Sequence, residues 1–190
     1  MRKSKTNRKG DPGKSHKYDQ CQTPFYALDP LLPYLPEKAT VWEPASGEGN
    51  ITRKLQLHNY NVIATDLLAG QNFFDYEPEN YSIVITNPPF SVKYKWIERC
   101  YELGKPFALL MQVDVLGAAT AQRLFEKCGI EVILLNKRVD FKMPNKGWSG
   151  KGSHFPTAWF TWQLSIGQQL TFGKVTKYAD KQMQINIDTT

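Results

Sequence analysis

The segment from Ala39 to Asp66 limits the fold more than any other part of the chain. Ala39-Thr40-Val41-Trp42-Glu43 reads as a strand, and Pro44 to Asn50 as a tight turn holding two glycines. Ile51 to Asn59 has helical spacing, with Ile51, Leu55 and Leu57 apolar and Arg53, Lys54 and Gln56 polar. Asn61 to Thr65 reads as a second strand, ending at Asp66. A strand, a glycine turn, a helix and a strand open a nucleotide-binding βαβ unit. Gly47 and Gly49 lack Cβ, so backbone can approach a ligand closely there. No third glycine completes the dinucleotide spacing, and no Lys-Ser/Thr pair makes a P-loop, so a diphosphate is not the expected ligand. Asp66 follows the glycine turn by about twenty residues, the spacing of an acid that accepts hydrogen bonds from a ribose diol. The plain alternative is an Asp that caps the next segment.

A second signal lies at Asn87-Pro88-Pro89-Phe90, directly after the β-branched run Tyr81 to Thr86. Two prolines fix φ and remove two backbone donors, leaving carbonyls to accept. Asn87 adds an amide carbonyl at a strand's carboxyl end, where open α/β sheets bind ligands. Phe90 adds an aromatic face. Two acceptors beside a flat ring suit the holding of a planar amino group. A Pro-rich turn with a buried Phe is the bland alternative.

The rest of the chain keeps alternating. Ser91 to Leu103 reads as a helix, Pro106 to Met111 as a strand, and Ala118 to Cys128 as a helix ended by Gly129. Ile130 to Leu135 reads as a strand, and aromatic-rich Phe155 to Trp162 as the last strand of the sheet. At 190 residues and 41% hydrophobic, the chain suits one core, so residues 18–190 are expected to form a single domain. Residues 1–17 carry seven Lys/Arg and one acid and so hold all of the formal net charge of +6; they read as a disordered basic tail. Cys21, Cys100 and Cys128 are widely spaced, and His16, His58 and His154 lack ligand spacing, which argues against disulfides and a metal site. No apolar stretch is long enough to span a membrane and no signal peptide is evident, so a cytoplasmic location is expected.

Glu43-Pro44-Ala45-Ser46-Gly47-Glu48-Gly49, Asp66 and Asn87-Pro88-Pro89-Phe90 together resemble the ordered motifs of S-adenosylmethionine-dependent amino-methyltransferases. More narrowly, the chain resembles small adenine-N6 DNA methyltransferases of phages and prophages, along Tyr18 to Phe172. The resemblance implies an α/β, Rossmann-like class I methyltransferase fold. Its sheet would have seven strands, mostly parallel with one antiparallel, and helices on both faces. It implies S-adenosylmethionine as cofactor, places Thr23, Pro24, Ala45 and Gly47 around its amino-acid portion, and counts Glu43 and Gly49 among the cofactor-binding residues. It assigns Asp66 to the ribose, and Asn72 and Phe73 to the adenine. That adenine position is usually Asp; Asn72 replaces it, and Asp75 is a nearby candidate for the same contact. Asn87, Pro88 and Phe90 take the catalytic roles: two acceptors for the target amine and a stacking ring.

Residues 136–154 hold five basic residues against one acid, three glycines, and Phe141 and Trp148. Such a segment reads as a mobile basic loop with aromatic tips that grips nucleic acid, or as a solvated connector with a buried Trp. Relatives that read a DNA sequence usually carry a separate recognition domain, for which this length leaves no room. Either the basic loop reads a short target or a partner supplies specificity. The substrate alternatives are an RNA base and a protein glutamine amide. A non-catalytic cofactor or nucleic-acid binding module is the alternative from outside enzymology.

Overall fold

The computed structural model describes residues 19–143 and 147–175; the basic tail lies outside them. Seven strands form one sheet: β1 Thr40–Glu43, β2 Asn61–Ala64, β3 Ile83–Thr86, β4 Phe107–Gln112, β5 Glu131–Leu135, β6 Thr157–Trp162 and β7 Leu170–Gly173. Their spatial order is β2-β1-β3-β4-β6-β5-β7. Only β6 runs antiparallel, against β4 on one side and β5 on the other. Three helices are interspersed: α1 Asn50–Leu57, α2 Lys93–Leu103 and α3 Ala119–Cys128.

The six strands and three helices located from the sequence are present, and a further strand completes the seven that the resemblance implies. Phe155–Trp162 is not the last strand, because β7 follows and pairs in parallel with β5 at the sheet edge. The alternation is only four residues long, too short to mark a strand by itself, and its Leu170 and Phe172 face solvent.

Strand residues alternate between two cores, as a sheet covered on both faces requires. Val41, Ile83, Ile85, Ala108 and Leu110 point to one face, covered by Ile51 and Leu55 of α1. Trp42, Val84, Phe107, Leu109 and Met111 point to the other, covered by Trp96, Ile97 and Cys100 of α2 and Ala121 of α3. In α1 the buried set is Asn50, Ile51, Lys54 and Leu55, while Leu57, the last residue of the helix, is exposed. Lys54 is accommodated there by an ion pair to Asp29 at 2.8 Å.

Two indoles fix the layers. Trp42 is fully buried and its Nε1 donates to Thr65 Oγ1 at 2.8 Å, tying β1 to the end of β2. Trp159 in β6, also fully buried, donates from Nε1 to the Ala27 carbonyl at 2.7 Å, docking the segment that precedes the sheet. We expect Trp42→Ala to lower unfolding stability by about 3–5 kcal/mol in urea denaturation, the usual cost of emptying a buried aromatic site. A loss below about 1 kcal/mol would mean that Trp42 does not anchor this face.

Candidate functional site

The site forms where the strand order reverses. From β1 the chain passes through α1 on one face to β2; from β3 it passes through α2 on the other face to β4. A crevice therefore opens beyond the carboxyl ends of the neighbouring strands β1 and β3. It holds a cavity of about 830 Å³, lined among others by Thr23, Glu43, Ala45, Gly47, Asp66 and Asn87. That volume falls in the range of small-molecule sites, about 300–1,000 Å³.

The wall below β1 is the glycine turn. Gly47 has φ +51 and Gly49 φ +80, left-handed values that glycine adopts without penalty. A Cβ on Gly47 would stand 2.5 Å from Gln22 Nε2. The turn is tied to β2 by the Ser46 amide, which donates to the Thr65 carbonyl at 3.1 Å. Asp66 completes it: Oδ2 accepts from the Gly47 amide at 2.9 Å and Oδ1 from the Leu68 amide at 2.8 Å. Asp66 thus does cap the segment after β2, and it also pins the glycine turn while lining the cavity. Each carboxylate oxygen keeps a further lone pair for a ligand hydroxyl.

Glu43 ends β1 and is buried. Oε1 accepts from the Thr86 hydroxyl at 3.2 Å, across to β3, and Oε2 has no hydrogen-bond partner. Burial pushes its carboxyl well above the usual carboxylate range. The Thr86 bond works against that shift, and the Asp66 carboxylate adds to it. Thr23 Oγ1 and Asn87 Oδ1 are likewise buried and without partner. Thr23, Glu43 and Asn87 all line the cavity, and each carries one buried side-chain oxygen without a partner.

The sequence-selected residues do not all reach this cavity. Pro24, Gly49, Pro88 and Phe90 do not line it, whereas Pro89 does. Pro24 is buried and shapes the turn that follows it, its carbonyl accepting from Ala27 at 3.1 Å. Asn72 lines the cavity, but its amide is engaged: Nδ2 donates to Asp75 at 2.7 Å and Oδ1 accepts from the Phe74 amide at 3.2 Å. Asp75 itself is exposed and stands off the cavity. Phe73 is a core residue, stacked on Trp96 with centroids 4.0 Å apart and tilted against Trp42 at 5.2 Å. Phe90 packs edge-on against Phe141 at 6.1 Å and Phe155 at 5.9 Å.

The basic segment is built differently from a loop with aromatic tips. Phe141 is buried, and only Trp148 keeps a large aromatic surface in solvent. Buried Asp140 organises the turn: its carboxylate accepts from the Ser149 amide and hydroxyl and, at 2.6 Å, from the Gly150 amide. Lys142 is paired to Glu48 at 2.6 Å, while Lys137, Arg138 and Lys151 are exposed. Gln22, Phe74, Trp96 and Lys142 also line the cavity, and no sequence motif marks them as site residues. Trp96 belongs to an apolar helical stripe that reads as core, and Gln22 and Lys142 arrive from remote segments.

No protein-family profile matches the chain, and no curated protein sequence matches it. Solved structures do. A candidate class I S-adenosylmethionine-dependent methyltransferase of Listeria monocytogenes superposes with a TM-score of 0.53 at 14% identity, over 88% of this chain and 70% of that one. The methyltransferase subunit of a type I restriction-modification system of Streptococcus thermophilus gives a TM-score of 0.48 at 12% identity, over 87% of this chain and 51% of that one. The first of these shows a shared Rossmann-like fold; the second, with its lower score, carries no argument. Among the described residues no His/Cys/Asp/Glu cluster could hold a metal, and no helix is long and apolar enough to cross a membrane.

The raised Glu43 carboxyl predicts a pH signature. A group whose folded pKa is raised contributes its stability at low pH and loses it as pH climbs through the folded value. Wild type should therefore track Glu43→Gln below about pH 4 and lose stability relative to it as the pH rises above that. Thermal unfolding of both proteins across that range reads the difference. A gap that does not change with pH would show that Glu43 is not buried as the neutral acid.

Proposed function

We propose that the chain is an S-adenosylmethionine-dependent methyltransferase acting on the exocyclic N6 amino group of adenine in DNA. The observation that carries this reading is the meeting of Glu43, Asp66 and Asn87 in one cavity at the switch point between β1 and β3. The residues fit the cofactor by their donors and acceptors. Asp66 offers free lone pairs to a ribose diol, and Glu43 and Thr23 carry buried oxygens that lack partners. Gly47 keeps the turn low where an amino-acid portion would lie. Phe74 and Trp96 line the wall beside Asn72, an apolar surface suited to a purine. When bound, S-adenosylmethionine supplies an electrophilic sulfonium methyl, so neither a metal nor a covalent nucleophile is required.

The protein's own task is then to present a weak nucleophile. An adenine amino group delocalises its lone pair into the ring. The Asn87 side-chain oxygen and the Pro88 carbonyl would accept its two N–H bonds and favour a tetrahedral nitrogen. The same acceptors stabilise positive charge as it develops on that nitrogen. Holding the amine and the methyl donor in one crevice supplies the proximity term. Phe90, propped by Phe141 and Phe155, offers a stacking surface for a base flipped out of the duplex. Exposed Lys137, Arg138, Lys151 and Trp148 give the neighbouring segment the character of a nucleic-acid contact. A partner protein would supply sequence specificity if these residues do not.

Incubation with S-adenosylmethionine and unmethylated DNA, RNA or a protein extract, followed by mass spectrometry, tests the proposal. N6-methyladenine in DNA is the expected product. A product only in RNA or on glutamine would overturn the substrate, and none on any of the three would overturn the enzyme. Asn87→Ala should keep cofactor affinity and lose at least about 100-fold in turnover, as for one preorganised electrostatic partner. Equal turnover would remove Asn87 from the chemistry.

A further inference from the structure

The loop that presents Asn87 has few ways to hold itself. Pro88 and Pro89 contribute no backbone donor, and the Asn87 side-chain oxygen has no partner. Immediately after the loop, Ser91 is gripped by a carboxylate 72 residues away: its amide donates to Asp19 Oδ1 at 3.1 Å and its hydroxyl to Asp19 Oδ2 at 2.7 Å. Asp19 is itself close to a fixed anchor. Gln22 exchanges backbone hydrogen bonds with Lys142 at 2.9 and 3.0 Å, and its side-chain oxygen accepts from the Glu48 amide at 2.9 Å. The Thr23 carbonyl accepts from Asn50 Nδ2 at 3.1 Å. Residues 19–23 therefore form a strap across the cavity, joined to the glycine turn, the basic segment and the loop after β3.

We propose that Asp19 is a positioning residue: by holding Ser91 it sets where Asn87 and Phe90 stand. The inference rests on the methyl-transfer reading above; Asp19 borders the same cavity as Asn87, and the role assigned to it acts through Ser91. It also explains why the grip is bidentate. A single bond would let the 3₁₀ turn Phe90–Val92 rotate about it, whereas two bonds to one carboxylate fix its orientation.

The test compares Asp19→Ala, Asp19→Asn and Ser91→Ala in the full chain. Asp19→Ala should lose about 10- to 100-fold in kcat, with affinity for S-adenosylmethionine unchanged by calorimetry, as for a misplaced but intact reacting group. Asp19→Asn should restore most of that loss, because an amide oxygen still accepts from the Ser91 amide and the hydroxyl can turn to accept from the amide nitrogen. The double variant Asp19→Ala/Ser91→Ala should be no slower than the slower single variant. Wild-type kcat in Asp19→Ala, additive losses, or a loss confined to cofactor affinity would each overturn the assignment. Amide hydrogen exchange over residues 87–93 reads the tether without turnover: faster exchange in Asp19→Ala supports it, and unchanged exchange overturns it. Exchange and binding separate the two proposals, since an inactive wild type with a working tether sinks the transfer reading alone.

Discussion

Two adjacent parallel strands whose chains leave in opposite directions are the constraint from which the rest follows. Because β1 feeds α1 on one face and β3 feeds α2 on the other, neither connection fills the gap beyond their carboxyl ends. Glu43, Asp66 and Asn87 meet in that gap. Glu43 and Thr86 are the last residues of the two strands and are joined by a hydrogen bond. Asn87 enters the site because it is the next residue after β3, and the glycine turn enters it because it follows β1.

The walls do structural and ligand-facing work with the same atoms. Asp66 spends one lone pair of each oxygen on the backbone of the turns beside it, which holds the site open without a ligand. Glu43 takes the opposite course. It is buried with one oxygen unsatisfied, an arrangement that costs on the order of 1–3 kcal/mol and is sustained by the cores on either side. Stability supplied by the buried tryptophans and the two-faced sheet thus supports a site that is locally unfavourable until filled.

How far the sequence disclosed this depends on whether a role was local. The glycine turn, Asp66 and Asn87 could be read because each follows a strand within a few residues, and the strand itself is marked by β-branched and aromatic residues. The edge strand β7 is hard to read because its alternation spans only four residues. Trp96 and Phe74 looked like core and turn, since helical spacing does not say which part of a stripe borders a cavity. Phe141 looked like an aromatic tip because a basic, glycine-rich context says nothing about burial; in the fold it packs under Phe90. Gln22, Lys142 and Asp19 act across long separations, and no spacing rule connects residue 19 with residue 91. Pro88 and Phe90 were selected for roles in binding a target, and both stand off the cavity that the cofactor residues line.

The most direct test of the account is a crystal structure with S-adenosylhomocysteine bound. The account predicts the ligand in the crevice beyond β1 and β3, its ribose hydroxyls on Asp66 and its sulfur facing Asn87. A ligand bound elsewhere on the molecule, or an empty crevice at saturating ligand, would contradict it.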